Sequence, residues 1–292
     1  MQSKSFIFAR TVFRSIGQIM LQENALTGLL FLVGIFYGSV PGGIAALLSA
    51  VTGVLTAQLL QYDRQEIEQG LYGFSATLVG VAMVFYFQPV PVIWIAVIIG
   101  SALATILQHV FIVKKLPGFT FPFIIVTWIL LYVFHHLIIE PNSVAVVNEM
   151  IEKDDFATSI HGFGEVIFQD SIIGGLLFFL GVFINKPIAA LYGITGAILS
   201  AYIAIHLSEP ALDIEMGLFS FNALLCAITF AGDEPVDGIF VLFSVVLTVI
   251  IDIAMLRMQW SVLTFPFVAA SWVTLTLKRW IPLPPKGIAP DK

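Results

Sequence analysis

Residues 17–30 of this chain, GQIMLQENALTGLL, return with small changes as GEVIFQDSIIGGLL at 164–177. The same spacing, 147, relates GLYGFSATL at 70–78 to GLFSFNALL at 217–225. A third pair, Thr-Phe-Pro-Phe at 120–123 and again at 264–267, stands 144 apart, as do Trp128 and Trp272. Shared apolar composition does not make Gln, Gly, Thr-Phe-Pro-Phe and Trp recur in one order. The chain is therefore read as two related halves, 1–145 and 146–292.

Those halves must fold in an apolar medium. Hydrophobic residues make up 59% of the 292 and charged residues 11%, against roughly 25% charge in soluble domains. So few charges cannot cover a water-facing surface of this size, and lipid is the partner expected for it. The fold class expected is an all-α polytopic membrane protein. A net charge of −6 without clustered Lys and Arg excludes nucleic acid. The single cysteine, Cys226, can form no intrachain disulfide, and no Cys/His metal cluster is present. Lys4, Arg10 and Arg14 among apolar residues have the look of a signal peptide. No small-residue cleavage pattern follows, and the first repeat already begins at Gly17.

Crossing a bilayer takes about 20 residues. The first half offers spans near 6–22, 26–40, 42–60, 91–113 and 120–138. Between the third and fourth lies 70–87, which opens with two glycines and ends at Gln88-Pro89. It is read as a re-entrant half-helix, whose irregular start must line a cavity or pack in protein. Five crossings per half invert the second half. With the N-terminus inside, Lys114, Lys115 and the C-terminal Lys278, Arg279, Lys286 and Lys292 fall inside, and acidic 140–161 falls outside. Nine Lys and Arg then lie inside and four (64, 153, 186, 257) outside, as the positive-inside rule asks. The first helix of the second half must be short and start near Phe156, because Glu152, Asp154 and Asp155 precede it.

The motifs QENALTG at 22–28, the paired GLYGFSATLVG and GLFSFNALLCA blocks, and the two TFPF blocks resemble the urea transporter family, from about Ser15 to Trp280. The resemblance implies ten spanning helices, two half-helices, an inverted pseudo-two-fold axis and a pore between the halves. It further implies a homotrimer with one pore per protomer, in a bacterial inner membrane with both termini cytoplasmic. The activity implied is passive urea permeation, with no cofactor.

Urea is flat and neutral, with four N–H bonds and one carbonyl. A selective path needs flat apolar walls and an edge of acceptors, since unpaired polar groups in an apolar slot cost several kcal/mol. Repeat-related candidates exist for both. Gln18 and Glu165 each follow a glycine in an apolar helix, and an intramembrane carboxylate is a functional candidate by default. A helix-terminal polar residue facing headgroups is the plainer reading. Thr120 and Thr264 precede Phe-Pro-Phe, which also suits a helix N-cap. By resemblance their hydroxyls lie at the constriction. Leu21 with Phe168, Phe74 with Phe221, and Leu78 with Leu225 are wall candidates; Phe74 and Leu78, four apart, share one helix face, as do Phe221 and Leu225, and Val166 and Ile19 are further candidates. Ordinary helix packing is the alternative for all of them.

His109, His135 and His136 read as interfacial, the tryptophans as belt residues, and Asp252 has no explanation in the sequence. An ion- or proton-coupled transporter of another small polar solute is the competing function. It wants several buried carboxylates, and only Glu165 and Asp252 offer themselves. An enzyme is not expected, because no nucleophile–base set or metal-ligand motif appears.

Overall fold

A computed structural model describes residues 3–136, 155–169, 171–207 and 209–280. The boundary between the halves, most of the acidic stretch at 140–161, and Lys153, Asp170, Lys286 and Lys292 lie outside the described residues. The described chain is helical: α1 Lys4–Gly17, α2 Ala25–Gly38, α3 Val40–Leu59, α4 Arg64–Glu68, α5 Phe74–Tyr86, α6 Pro91–Val113 and α7 Phe121–His136, followed by α8 Asp155–Glu165, α9 Ile172–Asn185, α10 Pro187–His206, α11 Ala211–Glu215, α12 Phe221–Phe230, α13 Pro235–Arg257 and α14 Phe265–Trp280. Both ends of α9, α10 and α11 fall 147 residues after those of α2, α3 and α4, and both ends of α13 and α14 fall 144 after those of α6 and α7. The lost three residues sit at the exit of α12, which has 10 residues where α5 has 13.

Backbone strain recurs with the same spacing. Leu21 and Phe168 (φ 61° and 58°), Lys115 and Gln259 (53° and 57°), and Phe119 and Leu263 (44° and 46°) are left-handed. Bulky side chains adopt that region only when their surroundings force it.

Among the described residues four helices, α3, α6, α10 and α13, are long and apolar enough to cross a membrane alone. α1 and α2 are not. Each has 14 residues, about 21 Å at 1.5 Å per residue against a hydrocarbon core of about 30 Å. A short 3₁₀ turn at Gln18–Met20, the left-handed Leu21 and the N-cap Asn24 separate them, and the chain bends by 76°. The two separate crossings expected at 6–22 and 26–40 are thus a bent pair. Glycine permits the close crossing: a Cβ on Gly28 would overlap the Phe13 carbonyl, and one on Gly175 the Ile160 carbonyl. α8 is short and begins at Asp155, as the acidic residues before it require.

Segment 70–87 also departs from expectation. A re-entrant loop returns both its ends to one side. Here Tyr72 hydrogen-bonds His109 near the C-terminus of α6, whereas Phe87 packs on Phe134 and His135 and leads directly into the α6 N-terminus. Thr105 donates to the Tyr72 carbonyl, Ser101 to that of Ala76, and Ser49 of α3 approaches Gly80. So α5 runs antiparallel to both α3 and α6, from the end of the bundle bearing Lys115 toward the end bearing His135. Every residue from Phe74 to Val84 is buried, as an all-round apolar helix must be. The small inner face of α3 (Ala45, Ala46, Ser49, Ala50, Gly53) lets α5 approach closely. On α6, Ile95, Ile98, Ile99, Leu103 and Ile106 stay exposed, an apolar stripe suited to lipid.

α2 and α9 pack antiparallel where the two halves meet. Phe31 and Phe178 meet edge to face at 5.2 Å; Gly34 lies against Phe178 and Gly181 against Phe31.

Candidate functional site

Thr120 and Thr264 come together. Their hydroxyl oxygens are 2.7 Å apart and each residue is 3% exposed. Local sequence explains the placement. Left-handed Phe119 and Leu263 turn the chain, Phe121 N–H donates to the Gly118 carbonyl and Phe265 N–H to that of Val262, and a helix begins. Pro122 and Pro266 occupy its first turn, where a missing N–H costs nothing. The capping role open to these threonines is not what the hydroxyls do: each bonds the other, across the two halves.

Aromatic side chains fix this junction reciprocally. Trp128 Nε1 donates to the Ser261 carbonyl at 2.9 Å and Trp272 Nε1 to the Pro117 carbonyl at 2.7 Å. Phe121 meets Trp272 at 5.0 Å, and Phe265 meets Trp128 at 5.6 Å. These two tryptophans, expected in an interfacial belt, tie each half to the loop that delivers the other's threonine.

On the His135 side of the threonines lies a cavity of about 680 Å³. Glu165, Val166, Phe168, Phe221 and Thr264 line it together, so five of the second-half candidates share one space. Leu225 is fully buried and Ile19 nearly so, and neither is part of this lining. The left-handed Phe168 sets its ring 5.1 Å from Phe85 and 6.3 Å from Phe123. Sequence reasoning missed Phe85, Tyr86, His135, Gln259 and Asp252 in this lining. Phe85 and Tyr86 were legible only from the direction of α5, which carries first-half aromatics to a second-half cavity. His135 Nδ1 donates to the Leu131 carbonyl at 2.7 Å, which leaves Nε2 as its acceptor nitrogen when the ring is neutral.

Toward the Lys115 end, Gln18 Nε2 donates to the Gln69 carbonyl at 3.0 Å. This spends an amide hydrogen and keeps the side-chain carbonyl as an acceptor. Gln69 directly precedes the Gly70–Gly73 turn that launches Phe74, which is 7% exposed. Leu21 is half-buried and Leu78 fully buried behind it. His109 is more than an interfacial residue: it stacks on Tyr62 at 3.5 Å and meets the Tyr72 hydroxyl at 2.8 Å.

Glu165, Phe168 and Phe221 thus line a cavity with Thr264, whose hydroxyl pairs with that of Thr120, and Gln18 and Phe74 lie in the first half. Among the described residues no group of three His, Cys, Asp or Glu is arranged to hold a metal ion.

Known proteins agree with the motifs. Urea transporter 1 of Rattus norvegicus is 26% identical over 242 residues, 77% of this chain and 63% of that protein. Urea transporter 1 of Mus musculus is 27% identical over 246 residues, and that of Ovis aries 28% over 242, with the same coverage. The chain matches about 63% of the length of these curated relatives. The family model described as "Urea transporter" matches residues 9–279, nearly the whole chain. On that match, the chain belongs to the urea transporter family.

Proposed function

We propose that this protein conducts urea passively across a bilayer, between the cavity at Glu165 and the Gln18–Phe74 region, past the Thr120–Thr264 pair. The observation that carries this reading is the threonine pair itself, buried at the junction of two related halves. A urea N–H leaving water for an apolar slot needs a replacement acceptor, or it forfeits about 1–3 kcal/mol per group. Two hydroxyls sharing one hydrogen bond still hold free lone pairs. Glu165 and Gln18 offer acceptors before and after them. Phe168, Phe221, Phe74, Leu21 and Val166 give flat faces, with Leu78 and Leu225 packed behind.

The membrane arrangement that accompanies this reading has two inverted halves, 1–145 and 146–292, with five crossings each. Its crossings are the bent pair α1–α2, then α3 and α6, and the shorter α5 and α7 taken together with the turns that lead into them, and their counterparts. Support comes from the antiparallel run of α5 and from the charges. Lys4 and Arg64 border one cavity with Tyr62, which stacks on His109 near Lys115. Arg14 donates to the Glu68 carbonyl, and Asn185, beside Lys186, bonds Gln22. Among the described residues Lys4, Arg10, Arg14, Arg64, Lys114, Lys115, Lys186, Lys278 and Arg279 then share one end and Arg257 takes the other, so that Arg64 and Lys186 join the cation-rich end. The cation-rich end is assigned to the cytoplasm. A homotrimer in a bacterial inner membrane completes the reading, on the family resemblance.

Purified protein in liposomes tests the function. Isotopic urea should equilibrate down its gradient, unaffected by protonophore or by sodium removal. Accumulation against the gradient that a protonophore abolishes would favour the coupled transporter. A cysteine at Gln65 should react with impermeant thiol reagent from the same side as one at Lys115, and one at Gln88 from the opposite side. Labelling of 65 and 88 from one side would restore the re-entrant loop.

A further inference from the structure

Thr264 opens α14 without capping it. An N-cap threonine ordinarily spends its hydroxyl on the N2 or N3 amide. Here Pro266 removes one donor, and the hydroxyl is committed to Thr120. The amide of Phe267 turns instead to another helix, donating to Asn222 Oδ1 at 3.4 Å. The same asparagine donates through Nδ2 to the Leu263 carbonyl at 3.1 Å and to Asp252 Oδ1 at 3.3 Å. One side chain therefore grips the backbone on both sides of Thr264 and anchors it to α13. Asn222 and Asp252 are both fully buried. Asn222 also directly follows Phe221, the cavity wall.

The first half builds the same contact from shorter chemistry. Ser75 and Gln108 stand at the equivalent positions, and their oxygens are 3.4 Å apart. A serine has one hydroxyl where asparagine has a carbonyl and two N–H groups, so it cannot grip two backbone groups and a carboxyl at once. Among the described residues, no bond from Ser75 to Phe119 or Phe123 parallels the second-half clamp.

We propose that Asn222 and Asp252 are positioning residues for permeant selection: they hold the Phe221 ring and the Thr264 hydroxyl at a fixed separation and so set the width of the slot on the Glu165 side. This rests on the urea-conducting reading. Asp252 acts through Asn222 and need not touch the permeant; its Oδ2 has no hydrogen-bond partner, so Asn222 is what holds the carboxyl in place.

The test exchanges the clamp for the pair the first half already folds with, Asn222→Ser together with Asp252→Gln, and adds Asp252→Asn as the conservative variant. Liposome permeability to urea and N-methylurea is measured beside deuterium exchange of peptides covering 262–267 and 118–123. In the double variant the 262–267 peptide should exchange about tenfold faster, as for one lost hydrogen bond, with 118–123 unchanged. Its preference for urea over the bulkier N-methylurea should fall by about threefold or more. Asp252→Asn, which keeps an oxygen for Asn222, should shift both the ratio and the 262–267 exchange less than the double variant does. A merely structural role would lower both permeabilities together and leave their ratio alone. An unchanged ratio, or equal exchange changes in the two peptides, overturns the clamp. Should the wild type pass no urea, the conduction reading falls separately and the exchange pattern alone decides.

Discussion

Gln18 and Glu165 occupy one place in two halves, and their surroundings differ in kind. Both sit at the end of a short helix, three residues before a left-handed turn, at Leu21 and at Phe168. Gln18 is tied to the Gln69 carbonyl, and the first half has Ser75 and Gln108 in contact where the second has Asn222 and Asp252. Glu165 shares a cavity with Asp252, which Asn222 holds. Backbone geometry is nearly symmetric between the halves while side-chain chemistry is not: neutral amides stand on one side, carboxylates on the other. Symmetry here belongs to the fold, and each end of the proposed path is free to differ in how it meets a permeant.

The largest expected effects lie where the halves are alike. Gly28→Val and Gly175→Val each force a side chain onto a carbonyl of the preceding helix. Each should cost more than about 3 kcal/mol, read as lost yield of folded protein or a collapsed melting temperature in detergent. Tolerance of one and not the other would break the backbone symmetry.

Next comes the acceptor at the carboxylate end. Glu165→Leu removes every acceptor and should cut urea flux by about tenfold or more. Glu165→Gln keeps one oxygen, loses only about 1 kcal/mol of charge-assisted bonding, and should cost a few-fold at most. Equal, complete loss in both variants would contradict the acceptor role. Near-native flux in both would move Glu165 out of the path.

The reciprocal exchange should not be reciprocal in outcome. Gln18→Glu sets a carboxylate against the Gln69 carbonyl in place of an N–H donor. It should lower stability by about 1–2 kcal/mol, visible as a melting shift of several degrees that Glu165→Gln does not share. Matching shifts in the two variants would show that the Gln69 contact does not distinguish the halves.

Much of this was legible in the sequence, because the repeat compares the chain with itself. The shared Thr-Phe-Pro-Phe run pairs Thr120 with Thr264, and the glycine-led segments locate α5 and α12. The direction of α5 was hidden. A charge count with 70–87 re-entrant obeys the positive-inside rule, so nothing in composition forces another direction; the contacts of Tyr72 and Phe87 toward opposite ends of α6 are what give α5 its direction. Asp252 stood unexplained because its partner Asn222 is thirty residues away in sequence and the carbonyl they serve forty-one from Asn222, and no periodicity reports such contacts. The partners of Trp128 and Trp272 are not legible in the sequence, since a tryptophan near a span end looks the same whether its N–H meets a headgroup or, as here, a carbonyl of the opposite half.

The central claim is that urea passes the paired hydroxyls. Urea permeability of liposomes holding equal amounts of folded wild type, Thr120→Val, Thr264→Val and the double variant measures it directly. Valine keeps the shape and removes the acceptor. Each single variant should lose about tenfold, by a comparable amount in the two halves, and the double variant should fall to the level of protein-free vesicles. A double variant that still carries urea at the wild-type rate would place the path elsewhere in the molecule.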